Sequence, residues 1–319
     1  MRSRIDLSSV LLLVGLVTMI SISLLPMKSG QALAAGFNLT PPSLPDNIKQ
    51  TSQALAADFK LTAPGLTDDQ TKQSGAGIAE KLGIRDLLPT ARDGPSWSLN
   101  ENDPKDDHNF SFKSLKHIDL HQDGTDGSKV WKMDAKTGTH KHGVRIHVDA
   151  PKGKWKNEEM SGYFKMLKGN DQFTMIARHG PSYHDNGGCD AYGYYGMLSA
   201  NGDAYFKKKT YHFGGGYSDR TAVKKHVVDD IKGRWIGMKF LTYDLPGGKV
   251  KLELWVDDGD ETNHWKKATE YVDDGNWDTH SSHCDRPKDW VIKDGTRSTF
   301  RVDNSEFDFK KLQVREITP

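Results

Sequence analysis

The chain has 319 residues, with 44 Lys and Arg against 43 Asp and Glu and a formal net charge of +1. Beyond its first 34 residues it carries 41 basic and 42 acidic side chains, a balance that excludes a strongly basic nucleic-acid binder. Two Cys exclude a disulfide-dense scaffold and a Cys-rich zinc module. Eight Trp, ten Tyr and twelve Phe still supply bulk for a core in an otherwise polar chain.

Arg2 and Arg4 open the chain, residues 10–25 are almost unbrokenly apolar, and Ala32-Leu33-Ala34 offers small residues for cleavage. This is the layout of a secretory signal peptide over residues 1–34. The apolar run is short for a hydrocarbon core of ~30 Å, although an uncleaved anchor is the alternative. No later segment is apolar enough to span a membrane, so the mature chain is expected outside the cytoplasm, secreted or at the cell surface. In an oxidising compartment Cys189 and Cys284 are expected to pair, with two free structural thiols as the alternative.

Residues 35–107 are rich in Pro, Ser, Thr, Asp and Gly with weak periodicity. They read as a largely disordered linker, with a short helix over residues 76–87. Gln31-Ala-Leu-Ala-Ala and Gln53-Ala-Leu-Ala-Ala open a short duplicated segment, too few copies for a solenoid.

From residue 108 the pattern has period two. Ile236, Met238 and Phe240 alternate with Trp235, Gly237 and Lys239. Val250, Leu252, Leu254 and Val256 alternate with Lys251, Glu253 and Trp255. Both read as half-buried strands, joined by a hairpin at Leu245-Pro-Gly-Gly. Asn201-Gly202 is a second hairpin signal, between residues 194–199 and 203–212. Further strands are predicted over residues 116–120, 144–148, 160–166, 173–178, 299–302 and 307–316. About ten strands without βαβ spacing predict an all-β fold over residues 108–319, two antiparallel sheets packed as a jelly-roll sandwich.

Gly233-Arg-Trp-Ile-Gly-Met-Lys-Phe-Leu-Thr-Tyr with Lys249–Asp257, and the closing Phe300-Arg-Val-Asp-Asn … Phe307-Asp-Phe-Lys-Lys-Leu-Gln-Val-Arg-Glu-Ile, carry a resemblance over roughly residues 115–317. They resemble the concanavalin A-like jelly-roll superfamily, in particular its secreted polysaccharide-lyase-like and lectin-like members. The resemblance implies a sandwich that binds or cleaves glycans. Alginate-lyase-type members place an Arg, a Gln or Asn, a His and a Tyr on one concave sheet. Here His179 in Ala177-Arg178-His179-Gly180 matches that histidine, with no Gln ahead of it. Tyr205-Phe-Lys-Lys-Lys-Thr-Tyr211 partly matches the tyrosine strand, which in that family lies later in the chain.

The residues also speak for themselves. The stretch 178–220 is dense in aromatics and cations, including Tyr192, Tyr194 and Lys207. Tyrosine rings suit pyranose C–H faces, and Arg or Lys suits a uronate or sulfate. The competing reading is that these tyrosines are core or loop packing. Lys239, Tyr243, Glu253 and Trp255 share the polar face of the paired strands, where Trp255 is a candidate sugar platform unless a loop or the linker covers it. A β-elimination would use a carboxylate neutraliser, a base and an acid. Arg178, His179 and Tyr211 are the candidates in that order. Arg178 and His179 are adjacent and face opposite ways on a regular strand, so both reach one site only if the strand ends or bulges there.

No paired-carboxylate strand for a retaining glycosidase is found. Glu158-Glu159 reads as a solvated strand entrance. Asp257, Asp258 and Asp260 form an acidic turn whose hard oxygens suit calcium, against the reading of a solvated loop; no cofactor is required. His140, His142 and His147 read as surface histidines. The expected function is recognition of an extracellular, anionic polysaccharide, with no nucleic-acid partner. A polysaccharide lyase and a structural cell-surface or matrix protein are the alternatives.

Overall fold

The structure is a computed structural model describing residues 82–99, 110–113, 118–122, 129–135, 143–181, 185–212, 216–277 and 284–319, all within the unit Leu66–Pro319. The signal segment, the duplicated segment and most of the helix expected over residues 76–87 lie outside them, as do His140 and His142.

Among the described residues fifteen strands, all paired antiparallel, form two sheets. The eight-stranded sheet runs β13 (Lys266–Asp273), β12 (Lys249–Asp257), β11 (Ile236–Leu245), β6 (Glu158–Lys168), β15 (Glu306–Glu316), β4 (Lys129–Asp134) and β3 (Ile118–Gln122), with β1 (Ser96–Ser98) also paired to β15. The seven-stranded sheet runs β10 (Tyr217–His226), β9 (Asp203–Lys209), β8 (Gly193–Ser199), β7 (Gln172–His179), β14 (Arg297–Val302), β5 (Val144–Asp149) and β2 (Phe110–Lys113). Neighbours in space are mostly not neighbours in sequence, as a two-sheet jelly-roll sandwich requires.

The alternation read from the sequence sets the layers. Phe240, Leu252 and Leu254 face inward from the β11–β12 hairpin, and Phe173, Phe206 and Phe300 meet them from the other sheet, all fully buried. Phe164 of β6 stacks on Phe173 of β7, centroids 3.3 Å apart, so the contact joins the sheets. Each such side chain contributes ~1.5–3 kcal/mol of hydrophobic stabilisation. At the Asn201-Gly202 turn, Gly202 adopts φ +83°, and a Cβ there would lie 1.6 Å from the Val228 carbonyl oxygen. Only glycine fits that position.

More strands are present than the ten expected. β10 and β13 end their sheets and are rich in charge, a composition that protects an edge but hides the period-two signal. The ordered sandwich also takes in residues ahead of 108. Trp97 of β1 enters the core, and Ile84 packs against Val130, Tyr163 and Trp235 on the outer face of the eight-stranded sheet. Cys189 and Cys284 form the expected disulfide, with Cα atoms 5.6 Å apart. Among the described residues no helix is long and apolar enough to cross a membrane.

Candidate functional site

The local structure of β7 decides where its polar residues go. Ile176 pairs with Thr299 and His179 with Arg297, so two residues of β7 stand opposite Ser298 alone. This is a β-bulge, and Arg178 sits in it at φ +49°. Gly295 makes the bulge fit, because a Cβ there would lie 2.0 Å from the Arg178 carbonyl carbon. The bulge turns Arg178 inward and His179 outward.

Arg178 is therefore not the carboxylate neutraliser that the sequence suggested. It is fully buried. Its guanidinium donates to Asp244 Oδ1 at 3.0 Å and to the Ile292 carbonyl at 2.9 Å, and its backbone N–H donates to Glu158 Oε1 at 2.6 Å. Glu158 and Glu159 are not a solvated entrance either; both are buried. Burial pushes the Glu158 carboxyl up to about 7, against hydrogen bonds from Ser298 and Arg178 that pull it down.

His179 reaches the outer face of the seven-stranded sheet. Its Nδ1 lies 2.7 Å from Thr299 Oγ1, and His147 Nδ1 lies 2.9 Å from the same oxygen. His147 is thus buried beside His179, ring centroids 5.8 Å apart, rather than a surface histidine. Burial holds the His179 pKa well below the usual histidine range. His147, Lys209, Arg297 and Arg145 press the same way by charge. A neutral imidazole among cations results. Arg297 Nε lies 3.5 Å from Asp149, and Lys209 Nζ lies 3.1 Å from His212 Nδ1.

Further along the same face, Gln172, Thr174, Tyr195, Met197, Lys207 and Arg301 line a cavity of about 260 Å³. Ile176, Tyr195 and Met197 form a small apolar patch there, with half-buried Tyr205 packed against it. Arg301 also pairs with Asp303 at 2.5 Å. Alternate residues of β14 (Arg297, Thr299, Arg301) and β5 (Arg145, His147) carry the face, in the period that strands impose.

The other expected residues scatter. Lys207 lies on the cavity. Tyr211, just past β9, is buried with its ring against Gly216. Tyr192 is half-buried, edge-on to Trp290 at 5.4 Å and under Arg286. Tyr194 is no surface ligand: it is a core residue whose hydroxyl donates to Asp273 at 2.5 Å, beside the buried Lys208–Asp273 pair. Lys239 is also no ligand. It is fully buried, paired with Glu159 at 2.5 Å, and burial lowers its pKa despite that partner. Glu159 also takes Arg315 at 2.6 Å, and Arg315 reaches Asp86 and Thr90 in the segment ahead of β1. Asp86 and Thr90, within the segment expected to be linker, thus lie against this face. Tyr243 and Trp255 both donate to Glu253, at 3.1 and 2.9 Å, which ties the trio together and to Lys267 at 3.0 Å.

The acidic turn is built as a loop brace. Asp257 accepts hydrogen bonds from Tyr163 Oη, Thr262 Oγ1 and the backbone N–H groups of Gly259 and Asn263 at 2.8–3.2 Å. These bonds hold its pKa below the usual carboxylate range, although burial opposes them. Asp258 pairs with Arg234, and Asp260 is exposed. Among the described residues no group of three or more His, Cys, Asp or Glu is arranged to hold a metal.

Arg145, Arg297, Thr299, Arg301, Thr174, Gln172 and Met197 were not singled out from the sequence, whereas Tyr195 and Lys209 stood in the aromatic and cationic stretch 178–220. Their alternation was visible, but the adjacency of β5, β14, β7 and β8 was not.

No protein-family model matches the chain, and no curated protein matches it. Solved structures do. The carbohydrate-binding module CBM66 from Bacillus subtilis is 11% identical over 65% of this chain and 95% of its own, at a TM-score of 0.38. The marine PL-14 alginate lyase from Aplysia kurodai is 12% identical over 70% and 98%, at 0.43. A Bacillus subtilis protein of unknown function with a galectin-like fold is 8% identical over 73% and 100%, also at 0.43. Each is a likeness of fold, and the reading of the site rests on this chain's own residues.

Proposed function

We propose that the outer face of the seven-stranded sheet binds an anionic polysaccharide outside the cytoplasm. The observation that carries this reading is the convergence of Arg145, Lys209 and Arg297 on His179, continuing into a cavity that sets Lys207 and Arg301 beside Tyr195. A uronate or sulfate group would join these side chains as a further acceptor, one that Arg takes bidentately. Half-buried Tyr205, packed on the buried cluster of Ile176, Tyr195 and Met197, offers a ring for the C–H face of a pyranose. The disulfide fits an oxidising compartment.

A second reading, polysaccharide lyase, is favoured by the neutral state of His179. A base for β-elimination must be unprotonated, and a uronate carboxylate must be neutralised beside it. His179 is fully buried, its Nε2 included, so the face must open before that nitrogen takes the proton at C5; the C–H electrons would then form the C4–C5 double bond, and the C4–O bond would break with a proton delivered to the leaving oxygen. Arg145 or Arg297 would face the carboxylate in place of Arg178. Tyr211, expected as the acid, is buried against Gly216, so this reading leaves the acid unassigned.

One experiment tests both. The full chain is run in native gels containing a polyuronate or a neutral glucan, and the same mixtures are followed by the ultraviolet absorbance of unsaturated uronate. Retardation by the polyuronate alone is expected, weakening as salt rises. Lys207→Glu and Arg301→Glu should each weaken it about 10-fold, equivalent to ~1.4 kcal/mol. Equal retardation by the neutral glucan, or unchanged retardation in both variants, overturns the binding reading. Absorbance that rises with the wild type and not with His179→Ala establishes the lyase; a flat trace alongside retardation removes it.

A further inference from the structure

The Thr299 hydroxyl stands between two imidazoles, 2.9 Å from His147 Nδ1 and 2.7 Å from His179 Nδ1. A hydroxyl has one proton to donate and two lone pairs to accept with. Among the described residues these two nitrogens are its side-chain partners. Two Nδ1–H groups could both donate to its lone pairs, but Thr299 is fully buried and its own proton would then lack an acceptor at a desolvation cost; the satisfied arrangement points that proton at one bare Nδ1 and takes a proton from the other.

We propose that His147, Thr299 and His179 form a proton relay, in which Thr299 holds the two neutral rings in opposite tautomers and passes a proton between them. The backbone builds it deliberately. Thr299 pairs with His147 in the β14–β5 register, and the bulge at Arg178 brings His179 back to the Thr299 side of β7. Without the extra residue, parity would send position 179 into the sandwich.

With His179 protonated on Nδ1, a proton taken at its Nε2 from a uronate C5, once the face opens to admit the sugar, sends the Nδ1 proton to Thr299. The Thr299 proton passes to His147 Nδ1, and the positive charge moves to His147. Release of the His147 Nε2 proton leaves both rings neutral with their tautomers exchanged. Proton count is conserved at each step, and the reverse passage resets the relay. The charged groups facing His179 are Arg145 of β5, Arg297 of β14 and Lys209 of β9, and His147 of β5 is the titratable one. All of them repel a resting charge there, so the relay gives a proton arriving at His179 somewhere to go. Its use in turnover rests on the lyase reading; the tautomer coupling does not.

The test is histidine nitrogen NMR on the full ¹⁵N-labelled chain near neutral pH, with the two rings assigned from His147→Gln and His179→Gln. One ring is expected to carry its proton on Nδ1 and the other on Nε2. Thr299→Val, nearly isosteric, should release that constraint and change the tautomer of at least one ring, and Thr299→Ser should restore it. Two rings with the same tautomer in the wild type overturn the relay, whatever the variants do. So does a Thr299→Val chain in which both tautomers stay as they were. Opposite tautomers in a chain without lyase activity keep the relay and discard the lyase; active enzyme with like tautomers discards the relay alone.

Discussion

The two outer faces of the sandwich both bury charge, and they do it differently. On the eight-stranded sheet the charges come in opposite pairs. Glu159 sits between Lys239 and Arg315, Lys165 meets Asp308 at 3.7 Å, Glu261 takes Lys311 at 2.6 Å, and Glu253 takes Lys267. On the seven-stranded sheet the charged groups that bear on buried His179 are cations, and each disfavours a proton on that ring. Opposite pairing is what a folded chain needs to keep charge out of water. Arg297 and Arg301 on this sheet also have carboxylates beside them, Asp149 and Asp303, so the difference between the faces lies around His179, where cations bear on one buried ring and where the proposed anion would bind.

The largest expected effect breaks the paired face. Glu159→Gln leaves Lys239 and Arg315 buried without their shared carboxylate. Loss of one partner from a buried pair costs about 3–5 kcal/mol. Urea denaturation should show that loss as a lower midpoint at unchanged slope. Polyuronate retardation of the folded variant should match the wild type if binding lies on the seven-stranded sheet, as proposed.

The adjacent Glu158 sharpens the comparison, being a buried carboxylate on the opposite side of the same strand. Its folded pKa of about 7 lies above the ordinary 4.5, so the folded state holds the proton more tightly than the unfolded one. Its contribution to stability is then greatest below about 4.5, falls as pH rises towards about 7, and is constant beyond. The size is ~3 kcal/mol, from roughly 1.4 kcal/mol per pH unit. Unfolding measured at pH 5 and pH 8 should show the wild type losing about that much relative to Glu158→Gln. Parallel pH dependence in the two chains would mean that Glu158 is ionised throughout.

The sequence made the sandwich legible because apolar alternation depends on burial of one strand face, and that pattern is local. Hairpins at Asn201-Gly202 and Leu245-Pro-Gly-Gly were legible for the same reason. The site was legible only in His179 and Lys207. Parity warned that Arg178 and His179 would diverge unless the strand ended or bulged. A bulge is present, yet it separates them, because the residue in the left-handed conformation turns inward. Tyr194 and Lys239 looked like surface ligands since polar residues rarely enter a core. What buries them are partners distant in sequence, Asp273 and Glu159, which one strand's pattern does not contain. Arg297, Thr299 and Arg301 alternate plainly, but their meeting with Arg145 and His147 depends on β14 lying between β7 and β5.

The smallest expected change in stability is the most discriminating. Lys209 is fully buried on the cationic face, and Lys209→Met keeps its length while removing its charge. If that charge serves a ligand, its removal relieves repulsion in the empty protein. Replacing buried charge by an apolar side chain of similar size is often neutral or stabilising, so the unfolding free energy should stay within ~1 kcal/mol of wild type. The His179 pKa should rise, because one of the cations that depress it is gone, and NMR titration of the ring reads that directly. Retardation by polyuronate should weaken about 10-fold, equivalent to ~1.4 kcal/mol. A stability loss near that of Glu159→Gln, with retardation intact, would give Lys209 the same structural role as Lys239. The two faces would then differ in composition but not in purpose.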